Sequence, residues 1–244
     1  PTAKTAAPAT GAEEPVKIPE PPGKFPKEVG PKSHDIHNQP AIKERTFTGS
    51  ETIVIEVAKA TKTITLNADA LTIASAKLLD ATGKIKQTAK VALDADEQTA
   101  TLTFLEEVAP GTHQLALVFA GKINTAGEGL FAATYEETGS NATKTMLGTQ
   151  MEATAARRMF PCWDEPVFRA RFRLTATVPQ NFTAVSNMPV EREKKTGETR
   201  EVRFGETPPM PSYLGVFCAG EFDTIEGSAA GGQLGAGTTR GKAK

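Results

Sequence analysis

The chain has 244 residues, of which 39% are hydrophobic and 23% are charged. These proportions are ordinary for a globular protein that buries a core, and the length suits one large all-β domain or two small ones. The formal net charge of −1 gives no electrostatic reason to expect nucleic acid as a partner. No apolar run approaches the ~20 residues needed to span a bilayer, so we expect no membrane span.

Residues 1–30 differ from the rest of the chain in composition. They are mostly Ala, Thr, Pro, Glu and Lys, with almost no apolar periodicity. Such a segment buries too little apolar surface to offset its ordering entropy, so we predict a flexible Pro/Ala-rich leader before a domain over residues 31–244. The chain begins at Pro1 instead of Met, which together with this leader favours a periplasmic or secreted protein. A cytoplasmic location is the alternative.

His34 and His37 stand between Pro31 and Pro40, in a stretch that we predict to be extended. Residues three apart on an extended backbone point to opposite faces, so the two imidazoles are badly placed to chelate one ion. The sequence offers no obvious third ligand. We therefore expect both histidines at the surface.

From Thr46 onward, short segments alternate apolar and polar residues with a period of two and are rich in β-branched residues. The predicted strands are Thr46–Gly49 leading into Thr52–Val57, then Thr63–Asn67, Leu71–Ile73, Lys90–Leu93, Thr99–Phe104, Gln114–Phe119, Phe168–Leu174, Thr183–Val185, Glu201–Phe204 and Tyr213–Phe217. Strands at this spacing predict an all-β fold, a mostly antiparallel β-sandwich or open barrel. One short helix is predicted over Glu152–Arg158.

The segment 148–166 contains the only tryptophan, Trp163, and the most informative pattern in the chain. Gln150 and Glu152 alternate on an extended backbone, so both can face one side while Met151 faces the other. A carboxylate beside an amide suits a substrate with an ammonium group, because charge-assisted hydrogen bonds are strong. From the residues alone, a solvated carboxylate at a helix start is the commoner role for Glu152.

Other residues of this segment have simpler structural interpretations. Arg157 and Arg158 are expected to pair with nearby carboxylates. Cys162 has no neighbouring histidine to activate it and is expected to be a buried, unreactive thiol, and Trp163 is expected in the core. Cys162 and Cys218 could pair or stay free, which leaves the redox compartment open.

The run Thr149–Thr154 followed by Arg157–Pro166 closely resembles the M1 family of zinc aminopeptidases, which includes aminopeptidase N and puromycin-sensitive aminopeptidase. The resemblance continues in Phe47–Ser50, Leu71–Ile73, Phe168–Leu174, Ala184–Met188, Pro209–Leu214 and Gly220–Phe222. It covers nearly the whole chain except the leader. In two places the chain departs from the family pattern, with Ala155 where Asp is usual and His34 where Tyr is usual.

The resemblance implies a saddle-shaped, largely antiparallel N-terminal β domain that precedes a thermolysin-like catalytic domain. In the family, the matching Gln and Glu project into the active-site cleft. Gln150 would therefore line the pocket for the substrate's first side chain, and Glu152 would hold the free α-ammonium group of a peptide. Trp163–Pro166 would form a structural corner. The implied function is the substrate-gating domain of a metallopeptidase that removes N-terminal residues from peptides.

The zinc ligands of such an enzyme do not occur in this sequence. The family's zinc site needs His-Glu-x-x-His on one helix, and none of His34, His37 and His113 is followed by Glu. We therefore expect zinc and the catalytic domain downstream in a longer polypeptide, and no metal, catalytic residue or activity in this chain alone. The alternative is a non-catalytic β-sandwich module, which acts in binding or as a scaffold, or a degenerate paralogue.

Overall fold

The computed structural model describes residues 25–80, 82–140, 142–229, 232–240 and 242. Most of the predicted leader, residues 1–30, lies outside these residues. Residues 25–30 belong to the packed fold, because Phe25 and Val29 are buried in the core and the first strand begins at Val29.

Seventeen strands lie in the described residues, together with two three-residue 3-10 helices, Ala156–Arg158 and Ser212–Leu214. The strands are β1 (Val29–Ala41), β2 (Thr46–Val57), β3 (Thr61–Asn67), β4 (Leu71–Leu79), β5 (Ile85–Thr88), β6 (Lys90–Asp94), β7 (Thr99–Val108), β8 (Gly111–Lys122), β9 (Gly129–Glu136), β10 (Thr143–Gln150), β11 (Arg171–Pro179), β12 (Thr183–Ser186), β13 (Val190–Thr196), β14 (Thr199–Phe204), β15 (Phe217–Gly220), β16 (Phe222–Ala229) and β17 (Gly232–Thr239).

Eight strands form the largest sheet, in the order β13-β14-β11-β1-β2-β8-β4-β5. Neighbouring strands are antiparallel except β1 and β11, which run parallel from Ser33↔Arg171 to Asn38↔Ala176. Along β2 every second residue from Phe47 to Val57 is buried. This period of two arises because one face of the sheet is covered and the other meets solvent.

Three smaller sheets complete the described part of the fold: β12-β15-β10-β9, β3-β7-β6 and the hairpin β16-β17. Buried residues from the eight-, four- and three-stranded sheets form one continuous core that includes Phe47, Leu102 and Phe217. None of these sheets closes into a barrel. The all-β, mostly antiparallel sandwich predicted from the sequence is confirmed.

Ion pairs attach the β16–β17 hairpin to the four-stranded sheet. Glu221, immediately before β16, accepts hydrogen bonds from Lys144 Nζ of β10 and from Arg240 Nη1 after β17, each at 3.1 Å. The hydrogen bond to Glu221 raises the pKa of Lys144. Tyr135 of β9 donates its hydroxyl proton to the Glu221 carbonyl at 2.9 Å. Both ends of the hairpin are therefore held against β9 and β10.

Two predicted elements are corrected by the structure. The helix expected over Glu152–Arg158 is reduced to the 3-10 turn Ala156–Arg158, because the segment between the end of β10 at Gln150 and Pro161 is too short to repay helix nucleation. The strand expected over Tyr213–Phe217 is instead the 3-10 turn Ser212–Leu214, and β15 begins only at Phe217.

Strand β1, at the centre of the large sheet, has no counterpart among the predicted strands. Its buried positions include the polar residues His34 and Asn38, which interrupt the apolar alternation that identifies a strand. Strands β5, β9, β10, β13, β16 and β17 also have no counterpart among the predicted strands. In β13, for example, every residue is exposed, so no buried apolar face marks it in the sequence. A strand with polar residues on its covered face is recognisable only from its pairing partners.

His34 is buried, with 1% of its surface exposed, so the expectation that it lies at the surface is wrong. Its Nδ1 lies 2.9 Å from Glu51 Oε2 of β2, and its ring stacks on Phe172 with a centroid separation of 5.0 Å. His37 points to the opposite face, as predicted, and its Nε2 lies 2.8 Å from Thr177 Oγ1. The buried imidazole is tolerated because a carboxyl group and an aromatic ring surround it.

We predict that Glu51→Gln changes how stability depends on pH. Burial raises the pKa of Glu51 in the folded state, and the hydrogen bond with His34 offsets this only in part. A carboxyl group with a raised folded pKa stabilises the fold at low pH and loses that contribution as pH rises through the folded pKa. In urea unfolding between about pH 4 and about pH 8, the free energy of unfolding of the wild type should therefore fall relative to that of Glu51→Gln.

Glu56→Gln on the same strand is the matched control for this experiment. Its partner Lys32 lowers the pKa of Glu56, so its pH trend should have the opposite sign. Parallel stability curves for the wild type and Glu51→Gln would contradict the prediction.

Candidate functional site

The candidate site lies where β10 ends. Strand β10 pairs with β9 along its whole length, from Thr143↔Glu136 to Gln150↔Gly129. Gln150 and Glu152 are exposed, whereas Met151 between them is buried with 3% of its surface exposed. Both predicted site residues are therefore exposed on either side of a buried residue, Gln150 at the end of β10 and Glu152 in the turn that follows.

One face of the four-stranded sheet is apolar and partly exposed. We call it the outer face and define it by five residues, namely Phe131 of β9, Met146 of β10, Val185 of β12, and Val216 and Cys218 at the start of β15. Gly148 allows this surface to form, because a Cβ there would meet the Phe131 ring at 2.9 Å. Gln150 follows Met146 and Gly148 at the same alternation, so it belongs to the rim of this face.

A groove of about 810 Å³ runs between the outer face and the β16–β17 hairpin. Its apolar lining comes from Met146, Val185 and Cys218 on the sheet and from Phe222 and Ile225 on the hairpin. Partial burial raises the pKa of the Cys218 thiol. A groove of this size with a mostly apolar lining is typical of surfaces that bind a ligand or another protein segment.

A buried ionic network holds the segment that follows the site. Asp164 Oδ2 accepts hydrogen bonds from Arg157 Nε at 3.1 Å and from the Arg157 backbone N–H at 3.3 Å. The hydroxyl of Ser212 donates to Asp164 Oδ1, and the Asp164 backbone N–H donates to Asn67 Oδ1 at 2.9 Å. The two 3-10 turns are therefore tied to one carboxylate, and the predicted corner at Trp163–Pro166 has a physical basis.

Comparison with known proteins identifies the family. Residues 30–214 match the model of the peptidase M1 N-terminal domain. The chain belongs to the M1 peptidase family. It is 39% identical over 213 residues to an aminopeptidase N from Acetobacter pasteurianus, an alignment that covers 87% of this chain and 58% of that protein.

Longer relatives show how small a part of an M1 peptidase this is. Aminopeptidase M1 of Arabidopsis thaliana is 35% identical over 212 residues, which are 86% of this chain and 24% of the plant protein. Puromycin-sensitive aminopeptidase of Caenorhabditis elegans is 31% identical over 212 residues, 86% of this chain and 22% of the worm protein. The chain thus spans less than a quarter of these two relatives and corresponds to their N-terminal domain.

The two arginines of this M1 domain are both paired, as predicted. Arg157 binds Asp164, and Arg158 binds Asp69 at 2.7 Å and Glu128 at 2.6 Å. Ala155, where the family usually has Asp, is buried. The missing carboxylate therefore leaves neither arginine unpaired.

The cysteine and tryptophan of the motif are buried. Cys162 and Trp163 both belong to the core, and Trp163 packs near Phe168 with ring centroids 6.4 Å apart. Burial raises the pKa of Cys162 well above its usual range, which suppresses thiolate chemistry. Cys162 and Cys218 are both free thiols, which answers the question of whether they pair.

M1 aminopeptidases are zinc enzymes, but the described residues of this domain do not fit a zinc site. Within them, no three His, Cys, Asp or Glu side chains are placed to hold one metal ion. The three histidines instead bond to separate partners, namely Glu51, Thr177 and the Ala109 carbonyl. Over the same residues, no helix is long and apolar enough to cross a membrane.

We predict unequal costs for removing the two adjacent arginines. Arg157→Ala leaves a buried carboxylate without its charged partner, so it should lower the free energy of unfolding by about 3–5 kcal/mol. Arg158→Ala removes a side chain that is 36% exposed, and the loss should be below about 1 kcal/mol. Urea unfolding of both variants checks this, and equal losses would show that the Asp164 network is not what holds the motif.

Proposed function

We propose that this chain is the substrate-gating N-terminal domain of a zinc-dependent aminopeptidase that removes N-terminal residues from peptides. The observation that supports it is the exposure of Gln150 and Glu152 on a rigidly anchored strand end. A binding site needs side chains that are free to meet a ligand and a backbone that does not move. Gln150 and Glu152 are exposed, and the backbone is held by the pairing of β10 with β9 and by the buried Met151.

The proposed ligand is the free amino end of a peptide. An α-ammonium group has a pKa near about 8 and carries a positive charge at neutral pH. Glu152 would accept a charge-assisted hydrogen bond from it, and Gln150 would contact the first side chain. These residues hold and orient the substrate, and neither is assigned a role in breaking the peptide bond.

We further propose that the outer face packs against the catalytic domain of the same polypeptide. The face is apolar and includes two exposed valines, Val185 and Val216. Exposed apolar surface of this kind normally marks an interaction site. The relatives that match this chain are up to about four times longer, so they contain the additional domain that such a face would meet. Docking there would place Gln150 and Glu152 at the junction, facing the part of the protein that would hold zinc.

The chain by itself should release no amino acid from peptides. The test incubates pure chain with an aminoacyl p-nitroanilide, with and without added zinc, and follows p-nitroaniline absorbance. Zinc-dependent release by the pure chain would contradict the proposal, because no described residue cluster could hold the metal. The alternative of a non-catalytic module is tested by reading the coding sequence beyond Lys244, since a His-Glu-x-x-His motif there would exclude it.

In the complete protein, Glu152→Gln should lower kcat/KM for peptides with a free amino end. The isosteric amide keeps a hydrogen-bond acceptor but loses the charge, and such a charged hydrogen bond contributes about 1.5–3 kcal/mol, or roughly tenfold to hundredfold in kcat/KM. Glu136→Gln, an exposed glutamate at the far end of β9, is the control and should have no effect. Unchanged kinetics in Glu152→Gln would show that Glu152 does not meet the substrate.

A further inference from the structure

Strands β10 and β15 are joined by backbone pairing at a single position, Leu147↔Ala219. Continuing this antiparallel register toward the site places Thr149 opposite Phe217 and Gln150 opposite Val216. Opposite Phe217, the Thr149 side chain takes the place of the backbone hydrogen bonds between the two strands. Thr149 Oγ1 accepts a hydrogen bond from the Phe217 N–H at 2.8 Å and donates one to the Phe217 carbonyl at 3.3 Å.

A hydroxyl group inserted between two strands keeps them farther apart than a direct N–H···O=C bond would. In the described residues the backbone pairing of β10 with β15 does not continue past Leu147↔Ala219, so Gln150 and Val216 stand on two unpaired strand ends, and we call the space between them the opening. Both side chains are exposed, and Val216 has 46% of its surface accessible. The width of this opening depends on the Thr149 hydroxyl.

On the Val216 side of the opening, the backbone is held by hydrogen bonds with the side chains of Ser186 and Asn187. Asn187 Nδ2 donates to the Leu214 carbonyl, and the Val216 N–H donates to Asn187 Oδ1, both at 2.8 Å. Ser186 Oγ donates to the Val216 carbonyl at 2.7 Å. Side-chain groups thus hold Leu214 and Val216 against the end of β12, and the backbone ladder between β12 and β15 begins next to them at Ser186↔Phe217.

The buried side chain of Met151 also contacts segment 214–217. A Cβ atom at Gly215 would lie 3.1 Å from Met151 Sδ, so the buried thioether packs directly on the backbone of segment 214–217. The residues before and after Gln150 are therefore both bound to this segment. The Gln150 backbone is paired with Gly129 of β9, and no hydrogen bond of its side chain is found in the described residues, so its position follows from this pairing and from its two neighbours.

We propose that Thr149 is a positioning residue that sets the distance between Gln150 and Val216, and that these two side chains together select the first side chain of the substrate. This inference rests on the proposed function and adds Val216 and the Thr149 hydroxyl to it. The ligand class is the side chain of the N-terminal residue of a peptide. Selection between small and large side chains is the property that the width of the opening controls.

The test compares Thr149→Val and Thr149→Ser in the complete aminopeptidase that contains this chain. Valine has the shape of threonine but loses both hydrogen bonds to Phe217, whereas serine keeps the hydroxyl. Thr145→Val is the matched control, because Thr145 lies on the same strand at the same alternation and is paired with Thr134 of β9. For each variant, kcat and KM are measured with alanyl and phenylalanyl p-nitroanilides.

Thr149→Val should change the ratio of the two kcat/KM values by about threefold to tenfold, mainly through KM, as expected for the loss of a hydrogen bond. Thr149→Ser and Thr145→Val should keep the ratio within about twofold of the wild type. A partial loss of folded protein lowers the apparent kcat for both substrates equally and leaves the ratio unchanged, so the fraction of folded enzyme is measured for each variant. An unchanged ratio and unchanged KM values in folded Thr149→Val would overturn the inference.

Asn187→Asp provides a second test if Thr149→Val does not fold. It keeps the acceptor for the Val216 N–H and removes the donor to the Leu214 carbonyl, so it should shift the same ratio; an unchanged ratio would count against the inference. Glu152→Gln is measured alongside to separate the two proposals. If it lowers kcat/KM while Thr149→Val behaves like Thr145→Val, only the positioning role fails. If Glu152→Gln also has no effect, the proposed function itself fails.

Discussion

The buried carboxylate of Asp164 is the interaction on which the candidate site depends. It accepts hydrogen bonds from Arg157 and Ser212, which belong to the two 3-10 turns of the structure's described residues. An ionised carboxylate in a protein interior is costly unless its oxygens are fully paired, and here both oxygens have donors. The arrangement therefore tolerates little displacement of either turn. Two segments that both follow the site in the chain are thus locked together, although Ser212 is 48 residues from Asp164.

This rigidity explains how exposed polar side chains can act as a defined site. Gln150 and Glu152 have no buried surface of their own to order them, and long exposed side chains ordinarily sample several rotamers. Their backbone is nevertheless fixed, because Met151 is buried between them and Thr149 is bound to Phe217. The backbone is thus ordered when the chain folds, so substrate binding does not carry the entropy cost of ordering it. What remains to be ordered on binding is limited to the side chains themselves.

Local patterns in the sequence predict those features that depend on alternation alone. Most predicted strands follow from period-two apolar residues, and the exposure of Gln150 at the end of β10 follows from the same alternation, whereas Glu152 is exposed in the turn after that strand. The sequence predicts that the arginines pair with carboxylates but not which ones, because Asp69 is 89 residues from Arg158 and only the fold brings them together. The contacts of Thr149 and Asn187 were not predicted at all. They arise where separate strands diverge, and nothing in the neighbouring sequence signals that point.

The burial of His34 is a second feature that local sequence does not predict, because its partners come from distant segments of the chain. The sequence predicts a surface position for His34, which stands where the family usually has tyrosine. In the fold, Glu51 of the adjacent strand supplies the polar partner, and Phe172 and Phe160 enclose the ring. Phe160 belongs to the motif that follows the site, so the histidine is part of the surface on which that motif rests. The substitution is accommodated by neighbours that lie on three different segments, and its compatibility with the fold is a property of those neighbours together and not of position 34 alone.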